Sequence, residues 1–135
     1  MSNYSDLIEK MRAKNIPFSV RENNCIDIYD YNRGCGAVRV MVGFNNEDDN
    51  RPSFHCYDLG NFPKEKTAAA LVACNNANID YRWVRFYLDD DNDVVAAADA
   101  VVDEFTSYDE IMEMVFKISG IVNKVYESFM QARWT

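Results

Sequence analysis

The stretch "AVRVMVGF", residues 37–44, alternates strictly: Val38, Val40, Val42 and Phe44 share one side, Arg39 and Met41 the other. A period of two marks a strand with one buried face. Similar short segments flank it. "PFSVRE" and "CIDIYDY" precede it, divided by Asn23-Asn24, and Asn32-Arg33-Gly34 leads into it. "SFHCYDL" follows the polar stretch Asn45 to Pro52. Connections this short cannot carry parallel crossovers, so the four segments are expected to form an antiparallel meander.

Helical patterns surround the meander. Tyr4, Leu7, Ile8 and Met11 recur at helical spacing and predict a first helix over about residues 4–14, stopped by Asn15 and Pro17. Pro63 is suited to open a second helix, "KEKTAAALVACNNAN", whose asparagines suit a C-terminus. Two strands follow, "RWVRFYL" and "DVVAAADAVV". Ser107 and Glu110 then have capping-box spacing, and a long helix is expected from Tyr108 to about Ala132. The order α-β-β-β-β-α-β-β-α implies an α+β two-layer sandwich, an antiparallel sheet with helices on one face. At 135 residues, without repeats or a linker, the chain is expected to be a single domain spanning 1–135.

Charge narrows the function classes. Fourteen basic residues against 22 acidic ones give −8, which opposes phosphate backbones and argues against nucleic-acid binding. No apolar run is long enough to cross a bilayer, and Met1 to Asp6 lack a basic start and an apolar signal core. A cytoplasmic protein without membrane partners is expected. Cys25, Cys35, Cys56 and Cys74 form no close pair, which suits reduced, buried thiols and not a zinc site.

"FYLDDDNDVV", residues 86–95, raises the question of a metal. Asp89, Asp91 and Asp93 match the first half of an EF-hand loop, but Val94 stands where glycine should turn the chain and Ala100 where a glutamate should close the cage. The expected role is a hairpin turn, with Asn92 taking the left-handed conformation; a small-ligand or cation (Ca²⁺) sensor using the acidic hairpin 89–93, with Asp89, Asp91 and Asp93 as the metal ligands, is the alternative. His55 and Cys56 are strand neighbours and point to opposite faces, so they make no catalytic couple. "RGCGA", residues 33–37, lacks the third glycine of a nucleotide fingerprint and suits a hairpin. No cofactor and no catalytic residue are expected.

In the last helix Ile111, Val115, Ile118, Val122, Val125 and Phe129 step by four and three, forming one seam. Met114 and Ile121 widen it on one side, and Met112, Phe116, Tyr126 and Met130 on the other. The apolar arc reaches ~220°, well beyond what packing on one sheet needs. Either the helix lies in an internal groove, or part of the arc is an interface. Gly120, on the polar strip, suggests a bend or a close approach. In "RWVRFYL" the alternation puts Trp83, Arg85 and Tyr87 on one face and Val84, Phe86 and Leu88 on the other. Trp, Arg and Tyr are the residue types enriched at binding hot spots, and the small residues of the next strand, Ala96, Ala98 and Ala100 on one side and Ala97 on the other, allow close approach.

Residues 74–103, "CNNANIDYRWVRFYLDDDNDVVAAADAVVD", resemble the central signature of the bacterial YbjN-domain family. The matching positions are Asn75 and Asn78; Trp83, Phe86, Tyr87 and Leu88; Asp89 to Asp93; and Asp99. The family commonly has glycine where Asn92 stands. The resemblance implies a fold like that of type III secretion chaperones, often dimeric and without a catalytic centre. It implies a cytoplasmic, non-enzymatic protein-interaction module, a chaperone-like or regulatory adaptor acting as a homodimer. The contact residues expected on this reading are Trp83, Arg85, Tyr87, Met112, Phe116, Tyr126 and Met130, with a protein partner.

Overall fold

Ser2 caps the first helix, its Oγ accepting the Ser5 N–H at 3.0 Å, and α1 runs Asn3–Ala13. In the computed structural model, which describes residues 2–47 and 49–135, Asn15 turns the chain out of the helix with φ of 56°. Met1 and Asp48, part of the N-terminal and Asn45–Pro52 readings, lie outside the described residues. Four strands follow: β1 (Phe18–Arg21), β2 (Cys25–Arg33), β3 (Gly36–Gly43) and β4 (Ser53–Cys56). They pair antiparallel in sequence order, as the alternation predicts. Asn23 and Asn24, both at positive φ, make the first turn.

Pro63 opens a 3-10 turn, Lys64–Lys66, and α2 begins after it at Thr67, running to Asp80. The asparagines do not end this helix, which continues through Asn78 to Asp80, and the Asn78 side chain is engaged with the next strand. The hairpin of β5 (Arg85–Leu88) and β6 (Val94–Asp99) docks through its second strand onto β4, giving the order β1-β2-β3-β4-β6-β5. Trp83 is outside the strand, at φ 79°, a correction to the reading that placed it on one strand face with Arg85 and Tyr87.

The long helix α3 spans Ser107–Trp134. Its capping differs from expectation: Thr106 is the N-cap, and Glu110 accepts the Thr106 hydroxyl at 2.8 Å and the Asp103 N–H at 2.9 Å. Ser107 is buried, its hydroxyl without a hydrogen-bond partner among the described residues, because the helix starts one residue earlier than a Ser107 cap requires and takes Ser107 into its first turn. All six seam residues are buried against the sheet. α3 packs on β2, β3 and β6, between α1 and α2. Phe129 stacks on Phe86 with centroids 5.9 Å apart, and burying such a ring contributes roughly 1.5–3 kcal/mol.

A β-bulge between Asp30 and Arg33 turns the end of β2 toward α3. The Asp30 carboxylate accepts Arg33 Nε at 2.9 Å, Ser119 Oγ at 2.7 Å and the Asn32 N–H at 3.0 Å. Arg33 also donates to the Phe116 carbonyl at 3.1 Å and crosses Gly120, where a Cβ would stand 3.4 Å from its guanidinium. Gly120 therefore marks a close approach, and the helix runs through it without a break.

Candidate functional site

Because the helices cover one side of the sheet, the alternation that buries Val38, Val40 and Val42 leaves the opposite side bare. Pairing across the ladders sets a transverse row there: Arg85 opposite Ala97, Ala97 opposite His55, His55 opposite Met41, and Met41 opposite Asp27. A second row runs beside it, with Tyr87 opposite Val95 and Tyr29 opposite Arg39. Tyr57 continues β4 next to them, stacked on His55 with centroids 6.4 Å apart. Tyr29 and Tyr31 stack at 6.1 Å. Val95 and Ala97 belong to this bare face yet are buried, being small residues between larger cross-strand neighbours. The result is a sheet surface of rigid aromatic side chains, with Tyr31, Tyr57 and Tyr87 exposed.

The electrostatics of this face are quiet. Burial first, and then the Arg85 guanidinium, lower the pKa of His55, so it is neutral at pH 7. Burial, followed by Tyr87 and the hairpin carboxylates Asp89 and Asp93, raises that of the Tyr57 hydroxyl. Arg85 pairs with Asp99 at 3.0 Å, an exposed pair at the sheet's margin. Cys56 points to the other face, as expected, and burial pushes its thiol pKa up strongly; burial holds Cys74 at about 11. Neither is a poised nucleophile.

The other residues expected at an interface distribute unevenly. Met112 is buried in the core, and Tyr126 and Met130 are half-buried against it, so most of the wide arc of α3 is covered within the monomer. Phe116 remains exposed. Trp83 is also exposed but faces a groove on the helix side, opposite Ala100 to Val102 and Met114 of α3. Arg85 and Tyr87 alone of the expected set stand on the bare sheet face. The bare-face aromatics Tyr29, Tyr31 and Tyr57 were missed in the sequence; their signal was the period of two, read for its buried side only.

At the acidic hairpin, carboxylate oxygens of Asp89, Asp91 and Asp93 come within 4.8 Å of one another. Asp89 Oδ1 already accepts the N–H groups of Asp91 and Asp93, at 3.0 and 2.8 Å, and Asp93 Oδ1 accepts the Asn61 amide at 2.9 Å. These bonds build the turn itself. Asn92 N donates to Asp89 O, Asp89 N to Asp93 O, and Asn92 has φ of 64°, the three-residue hairpin with a left-handed last position.

The β5 edge is closed. Asn78 of α2 donates Nδ2 to the Phe86 carbonyl at 2.9 Å and accepts the Phe86 N–H on Oδ1 at 2.7 Å. One side chain thus takes the place of a neighbouring strand.

The residues carrying this geometry lie where known proteins match. The YbjN family model, described as "Putative bacterial sensory transduction regulator", matches residues 38–130. The chain belongs to the YbjN family. The match runs from β3 into α3 and includes the hairpin, the Asn78 plug and most of the bare face. The fold is similar to the crystal structure of "YbjN, a putative transcription regulator from E. coli", with a TM-score of 0.66 and 14% identity over 90% of this chain and 87% of that one. Identity that low speaks for the shared YbjN fold alone. No curated protein matches the sequence. Among the described residues, no helix is long and apolar enough to cross a membrane.

Proposed function

We propose that residues 1–135 act as one YbjN-like domain, a non-enzymatic regulatory or chaperone-like adaptor of the bacterial cytoplasm that binds a protein segment and works as a homodimer. The observation that carries this reading is the bare sheet face, where Tyr57, Tyr87, Tyr29 and Arg85 form a surface of hot-spot residue types with no helix above it among the described residues. The net charge of −8 favours a protein over a nucleic-acid partner. The dimer finds support in α2: no charged residue occurs from Thr67 to Ile79, and Leu71, Val72 and Ile79 are exposed. An apolar surface of this kind is uncommon on a monomer.

Affinity capture from the native cytoplasm tests the adaptor reading. The wild type should retain a defined protein that Tyr57→Ala/Tyr87→Ala loses; an unchanged set of retained proteins contradicts it. Sedimentation at tens of micromolar tests the dimer separately, with a monomer contradicting it.

A second reading, a cation sensor, has the approach of the three hairpin carboxylates in its favour. Calorimetric titration with Ca²⁺ decides it. Heat abolished by changing Asp89, Asp91 and Asp93 to Asn supports the sensor, and no heat at millimolar calcium dismisses it.

A further inference from the structure

We propose that the groove beside Trp83 is a docking site, separate from the sheet face and from α2, for a basic amphipathic helix of a partner protein. The groove has a volume of about 390 Å³ and lies between the turn entering β5, the exit of β6 and the first half of α3. Its apolar surface comes from Trp83, Val101, Val102 and Met114, and its charged walls from Asp99, Glu110 and Glu113, with Lys117 at one end. Trp83 is 63% and Val101 80% exposed; Phe105, on the same connection as Val101, is 85% exposed. Large apolar side chains this exposed, gathered at a concavity, are what a partner's apolar residues fill.

Charge identifies the occupant. Ten of the 22 acidic residues lie between Phe86 and Phe116, a stretch without a single Lys or Arg. Four of the ten, Asp89 to Asp91 and Asp93, are at the hairpin tip; the other six, from Asp99 to Glu113, follow the exit of β6 and the connection into the first half of α3, the elements that form the groove. Within the groove Asp99 is paired with Arg85 and Glu110 is held by the α3 cap, while Glu113 has no ion pair or hydrogen bond among the described residues. An apolar groove with an acidic wall recruits a segment with large apolar residues on one face and Lys or Arg on its flanks. The segment docks as a helix because strand addition is closed at this margin: Asn78 occupies both outward backbone groups of Phe86.

The test uses the full chain with Trp134→Phe, which leaves Trp83 as the one tryptophan. Its emission is followed on titration with a synthetic 14-residue Leu/Lys amphipathic helix and with a Leu/Glu helix of the same leucine pattern. The Leu/Lys peptide should blue-shift Trp83 emission and bind at least tenfold more tightly than the Leu/Glu peptide. Glu113→Lys should weaken it at least tenfold. Asp91→Lys, the same charge change at the exposed hairpin tip, should alter it less than twofold; circular dichroism verifies that both variants remain folded. Equal binding of the two peptides, equal effects of the two lysine variants, or no spectral change at millimolar peptide would each overturn the proposal.

Discussion

At the hairpin tip Asn92 holds φ at 64°, a conformation that glycine adopts freely and asparagine better than most other residues. Its side chain adds a second function, donating to the Phe62 carbonyl at 3.2 Å and to Thr67 Oγ1 at 2.9 Å, which ties the hairpin to the start of α2. Asn92→Ala forfeits both bonds and strains the backbone, whereas Asn92→Gly forfeits the bonds alone. Urea unfolding should show Ala the worse substitution by about 1 kcal/mol. The positive φ was legible in the sequence; the tether was not, since its partners lie 25 and 30 residues away. Asp30 gives a pH test. Burial alone would raise its pKa, but the hydrogen bonds from Asn32, Ser119 and Arg33 and the Arg33 charge outweigh burial and leave it below the usual value. A depressed carboxylate stabilises the fold above the unfolded value of about 3.9 and loses that contribution as pH falls through the folded value. Asp30→Asn should therefore cost about 2 kcal/mol at pH 7, and its gap to the wild type should narrow below pH ~4.

At the scale of elements, α3 was legible because its seam is local: a step of four and three survives whatever it packs on. The direction of Trp83 was not. Alternation put it beside Arg85 and Tyr87, but a tryptophan at φ 79° breaks the strand and sends the ring to the helix side, and no residue type announces this. The docking of β6 onto β4 was likewise hidden, because both hairpin strands are apolar and either is fit to be the inner one. Asn78 explains why β5 is the edge. Asn78→Ala should lower stability by about 1–2 kcal/mol through the loss of two partly buried hydrogen bonds, and should leave a free strand edge. Chemical denaturation reads the first effect, and light scattering should show concentration-dependent association from the second.

For the whole molecule, coverage of one sheet face by three helices is the organising fact. It buries the residues that periodicity marked as core, and also Met112, which was expected at an interface, and leaves a face whose aromatic side chains serve no core. The sequence disclosed that the sheet is antiparallel and one-sided, but the identity of the bare surface required the register between strands far apart in the chain. The bare face as the protein-binding surface is the central claim, and site-specific photocrosslinking in living bacteria tests it most directly. Benzoylphenylalanine placed at Tyr57 or Tyr87 should give discrete protein adducts, and the same probe at Lys124 or Glu127, on the polar strip of α3, should give none. Adducts at the α3 positions alone, or no protein adduct at either tyrosine, would contradict it.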